Sequence, residues 1–191
     1  GIRQVRLLEQ PREGGGTTFT FEINGKPIYC RGANWVPGDS LRLDSSPERY
    51  DRLLELARRA NMNMLRVWGG GIYESETFYA LCDRLGILVW QDFMFACNLY
   101  PDHDAAFLKN VESEANKAVK RLRRHPSIVV WCGNNENDWI WDMGHWKAEE
   151  GVDRFYGKRI YHDLLPRICK RLAPTRPYRP SSPYGGPEPN S

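Results

Sequence analysis

The sequence has 191 residues, 41% hydrophobic and 27% charged, an ordinary globular composition for a chain able to bury one substantial core. Its formal net charge of +3 is spread along the chain, which argues against nucleic-acid binding, and no window approaches the ~18 consecutive apolar residues of a membrane span. Cys30, Cys82, Cys97, Cys132 and Cys169 are odd in number and form no C-x-x-C pair, so free, mostly buried thiols are expected instead of a disulfide framework.

Gly1-Ile2-Arg3-Gln4 does not begin a signal peptide, and with Pro187-Glu188-Pro189-Asn190-Ser191 at the other end both termini are expected to be cuts in a longer protein. Residues 1–33 read as extended structure. Phe19-Thr20-Phe21-Glu22-Ile23 alternates with period two, Asn24-Gly25 is a hairpin turn, and Pro27 to Arg31 returns, so a β-hairpin opens the fold. After a loop from Asn34 to Ser46, Ser46-Pro47-Glu48 starts a helix whose Tyr50, Leu53, Leu54, Leu56, Ala57 and Ala60 make an apolar stripe. Met62 to Trp68 supplies a strand. A helix over about 75–85, a strand at Ile87 to Gln91, a helix over about 104–124 and a strand at Ile128 to Cys132 follow. A helix over about 153–172 then precedes an extended Tyr178 to Ser182.

Ile87-Leu88-Val89-Trp90 is a nearly continuous apolar run, the pattern of a parallel strand covered on both faces. The fold class is therefore α/β, with four or five β/α units preceded by the hairpin. Such a series closes either as a doubly wound sheet or as part of an eight-stranded β/α barrel. Arg66, Asp92 and Glu136 fall at or just past the C-terminal ends of successive strands, the rim where barrels gather catalytic groups, whereas an open sheet concentrates ligand contacts at one switch point. A partial barrel is the expectation. Half a barrel leaves open sheet edges, so it should pair with the remaining half of its parent chain or with another copy.

The stretch Ser127-Ile128-Val129-Val130-Trp131-Cys132-Gly133-Asn134-Asn135-Glu136-Asn137 delivers a carboxyl onto that rim, between amides and ahead of Trp139 and Trp141. An acid that hands its proton to a leaving group needs surroundings in which the charged carboxylate is disfavoured. The competing reading is a helix N-cap made by Asn134, Asn135 and Glu136. Both stay open on pattern alone. The glycines of Trp68-Gly69-Gly70-Gly71 lack the Lys-Ser/Thr of a phosphate loop and read as a tight turn. Asp102-His103-Asp104 lacks a fourth ligand and reads as a capped loop, so neither a metal nor a cofactor is expected. Lys117, Lys120, Arg121, Arg123 and Arg124 read as the outer face of a helix, and His125, His145 and His162 have no visible Ser or Cys partner for a triad.

Four stretches then carry a resemblance: Gly32-Ala33-Asn34-Trp35-Val36-Pro37-Gly38-Asp39, Asn63 to Gly71, Val89-Trp90-Gln91-Asp92-Phe93-Met94-Phe95-Ala96, and Trp131 to Asn137. In order and spacing they resemble glycoside hydrolase family two over nearly the whole chain. Gly133-Asn134-Asn135-Glu136 after Trp131-Cys132 is similar to the β-mannosidase branch, as is Pro180 to Gly186, although Arg179 stands where an aromatic is expected. The resemblance implies that residues 1–15 end a preceding immunoglobulin-like domain or linker and that 16–191 form the N-terminal part of the barrel. It implies a retaining exo-β-glycosidase acting on a β-mannoside or related oligosaccharide, with Glu136 as acid/base, Asn135 on the sugar 2-hydroxyl and Arg66 supporting the nucleophile. Trp35, Trp68 and Trp139 would line the sugar site, with Asp39 and Asp92 accepting from hydroxyls, and Asp92 alternatively holding Arg66. The family nucleophile is a Glu on a later strand, whose place Glu149, Glu150 and Glu188 do not fit, so the segment alone is expected to be inactive. Other family-two glycosidases, such as a glucosaminidase or galactosidase, and a non-catalytic sugar-binding or structural fragment are the alternatives.

Overall fold

The turn at Asn24-Gly25 behaves as its residue types dictate: both take positive φ, 51° and 77°, the backbone of a two-residue turn that matches strand twist. It joins β2 (Thr20–Ile23) to β3 (Lys26–Ile28), and β1 (Val5–Leu8) pairs antiparallel with the other side of β2. The division expected between residues 15 and 16 thus falls in the β1–β2 connection. A computed structural model describes residues 3–39, 41, 45–149 and 151–185; Glu150 and Glu188 lie outside the described residues.

Five parallel strands form a second sheet: β4 (Gly32–Trp35), β5 (Met64–Val67), β6 (Leu88–Asp92), β7 (Ile128–Cys132) and β8 (Tyr178–Arg179). Their spatial order is their chain order, without the reversal that defines a doubly wound sheet, so the series is the partial barrel. The crossovers carry α1 (Pro47–Arg59), α2 (Glu76–Leu85), α3 (Ala105–Leu122), α4 (Asn137–Asp142), α5 (His145–Glu149), a π-helical turn (Ile160–Leu164) and α6 (Leu165–Leu172).

Local chemistry sets the helix ends. Ser46 and Ser75 accept from the amides of Arg49 and Phe78, and Gly86 closes α2 at φ 73°, where a side chain would be strained. Asp104 caps α3 through the Ala106 and Phe107 amides, while buried Asp102 accepts from Arg154 and the Arg159 amide. Asp102-His103-Asp104 is thus a cap and a brace, and among the described residues no cluster of three or more His, Cys, Asp or Glu side chains is placed as metal ligands. The basic face of α3 ties helices together: Arg121 and Arg124 pair with Glu76, and Arg123 donates to the Leu172 carbonyl.

Strand alternation splits the core in two. Leu65, Val67, Val89 and Trp131 point to the helices and join Leu54, Phe78, Leu122, Ile160 and Leu165, all buried. On the inner face, Met64, Leu88 and Val130, with Val129 as the extra residue of a bulge in the β6–β7 ladder, pack against Val5 and Phe21, so the hairpin sheet covers the strands' N-terminal half. The C-terminal half of that face is left for polar residues.

Several boundaries differ from the expected ones. The α1 stripe is narrower, since Leu56 is 51% exposed and Ala60 is also exposed at the helix end. The last helix begins at Ile160 instead of near 153; Gly157 at φ 99° interrupts the chain before it, and the π-helical turn precedes Pro166, which has no N–H to give. The short α4 and α5 and the first barrel strand were not legible. In β4 only Trp35 is buried, and Gly32 fits because a Cβ there would lie 1.7 Å from the Met64 carbonyl oxygen.

Candidate active site

Arg66 on β5 and Asp92 on β6 occupy the inner face where their strands end. The guanidinium donates from Nε and Nη2 to the two Asp92 oxygens at 3.2 and 2.8 Å, and Nη2 reaches Asn135 Oδ1 at 2.9 Å. Asp92, fully buried, also accepts from the Gly69 amide at 3.0 Å and Trp90 Nε1 at 2.9 Å. Burial pushes its carboxyl up to about 6, against the downward pull of Arg66 and the two N–H donors. The pair is a rigid floor of matched charges: Asp92 fixes the plane of Arg66, and Arg66 fixes the Asn135 amide.

Beyond the strand ends the backbones stay paired. Asn135 bridges Ala96 on one side and Ser182 on the other, with Asn135 N to Phe95 O at 2.9 Å, Cys97 N to Asn135 O at 3.0 Å and Glu136 N to Ser182 O at 3.1 Å. Glu136 then takes φ 68°, a costly left-handed conformation for a residue with a side chain. Although it stands at the N-cap of α4, its side chain makes no capping bond. Asn134 performs that task, its Oδ1 accepting from Asn137 N at 2.9 Å and Ser181 Oγ at 2.7 Å, while Nδ2 donates to Asp138 Oδ2 and Pro180 O, both at 2.9 Å. Asp138 is held in turn by His162. The Glu136 carboxyl is thereby released from backbone duty and meets the thiol of Cys97, whose Sγ lies 3.3 Å from Oε2 and accepts from Asn135 Nδ2 at 3.2 Å.

Of the residues singled out from sequence, Arg66, Asp92, Asn135 and Glu136 form this one network. Trp68 directly follows β5 and is half-buried, its ring so close over Gly70 that a Cβ there would lie 2.1–2.4 Å from it. Asp39, half-buried after β4, accepts from the Leu41 amide, and Trp139 is half-buried on α4 one turn beyond Glu136. Trp35, expected to line the sugar site, lies instead in the core behind the sheet. Its register partner Val67 points to the helices, and so does its indole, packed on Tyr50 and Phe78 and donating to Glu74 at 2.8 Å. Arg179 also faces elsewhere, pairing with Glu9 and lying 5.6 Å from the Phe19 ring, so it fastens β8 to the hairpin sheet. Sequence reasoning missed Cys97, and it left the cap open among Asn134, Asn135 and Glu136, where the structure gives it to Asn134. Cys97 followed a strand end just as Glu136 does, which was a usable signal; nothing local marked Asn134 over its neighbours.

Residues 17–182 match the glycosyl hydrolases family 2, TIM barrel domain. The chain is 45% identical to "Beta-mannosidase B" of Thermothelomyces thermophilus and 46% identical to "Beta-mannosidase" of Capra hircus, in each case over 97% of its length. Its structure resembles that of the β-D-mannosidase from Dictyoglomus thermophilum, with a TM-score of 0.89 and 52% identity over 100% of this chain. The chain spans only 21–23% of the length of these three proteins.

Proposed function

Because this chain belongs to glycosyl hydrolase family 2 as a segment of its TIM-barrel domain, we propose that it carries the acid/base half of a retaining exo-β-mannosidase site. One observation carries the reading: Asn134 caps α4, so the Glu136 carboxyl, held out by a left-handed backbone, remains available for proton transfer. The relatives named as β-mannosidases support mannose as the sugar.

In the first step Glu136 gives its proton to the glycosidic oxygen as the C–O bond breaks, while a second carboxylate attacks the anomeric carbon and forms a glycosyl ester. In the second step the Glu136 carboxylate takes a proton from water, whose oxygen displaces the ester and restores both groups. Asn135, oriented by Arg66, meets the 2-hydroxyl, and the Arg66 charge positions the nucleophile carboxylate and keeps it ionised for attack. Trp68, Trp139 and Asp39 line the sugar subsite. Asp92 is a poor nucleophile because both its oxygens are engaged by Arg66, Gly69 and Trp90. The second carboxylate is accordingly assigned to a later barrel strand, and the 191-residue segment alone should turn over no aryl β-mannoside.

The test is Glu136→Gln in the complete enzyme. An isolated general acid is worth about 10²- to 10⁴-fold, so hydrolysis of substrates with poor leaving groups should fall by that factor, and activated aryl mannosides should suffer less. Azide should then restore turnover of activated substrates, forming the glycosyl azide without base assistance. Unchanged rates on both substrate types would remove Glu136 from the chemistry.

A further inference from the structure

Among the described residues Cys97 is the one exposed cysteine of five, and it stands in the middle of the candidate site. Its position is fixed by backbone pairing, since the 95–97 segment continues the β6–β7 ladder through Phe95, Ala96 and Asn135. Its own φ of 47° is left-handed, as is that of Glu136, so two residues with unfavourable backbone turn their side chains toward each other. A glycine or asparagine would adopt that backbone at lower cost, which leaves the side chain as the reason for a cysteine there.

We propose that Cys97 is a positioning residue for the acid/base: its thiol donates to Glu136 Oε2 and accepts from Asn135 Nδ2, setting the carboxyl's orientation and how readily it releases its proton. This rests on Glu136 being the acid/base. A thiol is a weaker donor than a hydroxyl, so it orients a carboxyl without locking it in the ionised form that could no longer protonate a leaving group. Burial and the adjacent Glu136 carboxylate both push the Cys97 thiol up, which keeps its proton in place for donation. The other titratable groups around the pair are Arg66 on β5, Asp92 on β6, Tyr100 whose hydroxyl contacts Ala96, and Asp138 with His162 behind the 134–138 turn.

Two measurements on the complete enzyme test the assignment. Iodoacetamide should alkylate Cys97 slowly in the wild type and several-fold faster in Glu136→Gln, because removing the carboxylate's charge eases thiolate formation; Cys97→Ala supplies the blank for the other cysteines. In the pH–rate profile for a poor leaving group, Cys97→Ala should move the basic limb up and Cys97→Ser should move it down, each by about half a pH unit, because a hydrogen bond to the charged form favours that form. A purely packing role moves neither limb. An alkylation rate that ignores Glu136→Gln, or profiles of both cysteine variants that superimpose on the wild type, overturns the proposal. If Cys97→Ala does not fold, Cys97→Ser alone decides the limb and also supplies the alkylation blank. Full activity of Glu136→Gln would instead overturn the functional reading, and the alkylation measurement would still report on the contact.

Discussion

Asn134→Ala should destabilise the fold by about 3 kcal/mol, more than a surface cap is worth, because the side chain serves three segments at once. It caps α4 through Asn137 N, holds Ser181 Oγ and Pro180 O after β8, and braces Asp138, all from a fully buried position. Losing the cap costs about 1 kcal/mol. Leaving buried Ser181 and the Pro180 carbonyl without their partner adds about 1 kcal/mol each, whereas Asp138 keeps His162 and adds little. For a chain of this size the midpoint should fall by about 6–12 °C. Urea unfolding followed by far-ultraviolet circular dichroism measures the loss. A double-mutant cycle with Ser181→Ala should show a coupling of about 1 kcal/mol, since the two side chains bond directly. In the complete enzyme kcat should drop as well, because the same side chain stabilises the turn that holds Glu136 at φ 68°. A stability loss below about 1 kcal/mol, or additive effects in the cycle, would refute the view that Asn134 frees Glu136 by taking over the cap.

Stability should carry a signature of Asp92: its carboxyl is raised from 3.8 to about 6, so its contribution is full below pH 3.8 and is lost as pH rises through 6. The expected loss is at most ~3 kcal/mol, and urea midpoints of Asp92→Asn across pH 3–8 should lack that slope; parallel profiles would disprove the linkage. Trp68→Ala should weaken binding of a mannose-configured lactone by the complete enzyme about tenfold while leaving its unfolding midpoint nearly unchanged, because the ring is half-exposed at the rim. Calorimetry giving equal affinities would take Trp68 out of the sugar subsite. The 191-residue segment should self-associate, since β4 and β8 end the parallel sheet and each leaves one side unpaired among the described residues. Sedimentation showing a monomer at all concentrations would count against it.

The elements legible in the sequence are those with a local cause. Serine caps and Gly86 bounded α1 and α2, Asp104 started α3, and the apolar run of β7 fell at Ile128–Cys132 as read. The missed elements lack such causes. Gly32, Ala33 and Asn34 are exposed, so β4 shows no period, and its existence depends on pairing with β5 across a connection that holds α1. Short α4 depends on an Asn134 amide tied to residues 180 and 181.

The sequence by itself determined the order of β/α units, the hairpin turn and the appearance of Arg66, Asp92, Asn135 and Glu136 at strand ends, because period, caps and chain direction are properties of neighbouring residues. Tertiary structure decided which face each side chain takes and which loops meet. Register with Val67 sent Trp35 into the helical core, pairing with Glu9 turned Arg179 to the hairpin sheet, and the ladder beyond β6 and β7 carried Cys97 to a carboxyl 39 residues away. Those outcomes arise from contacts between distant segments, and no local pattern of side chains encodes them.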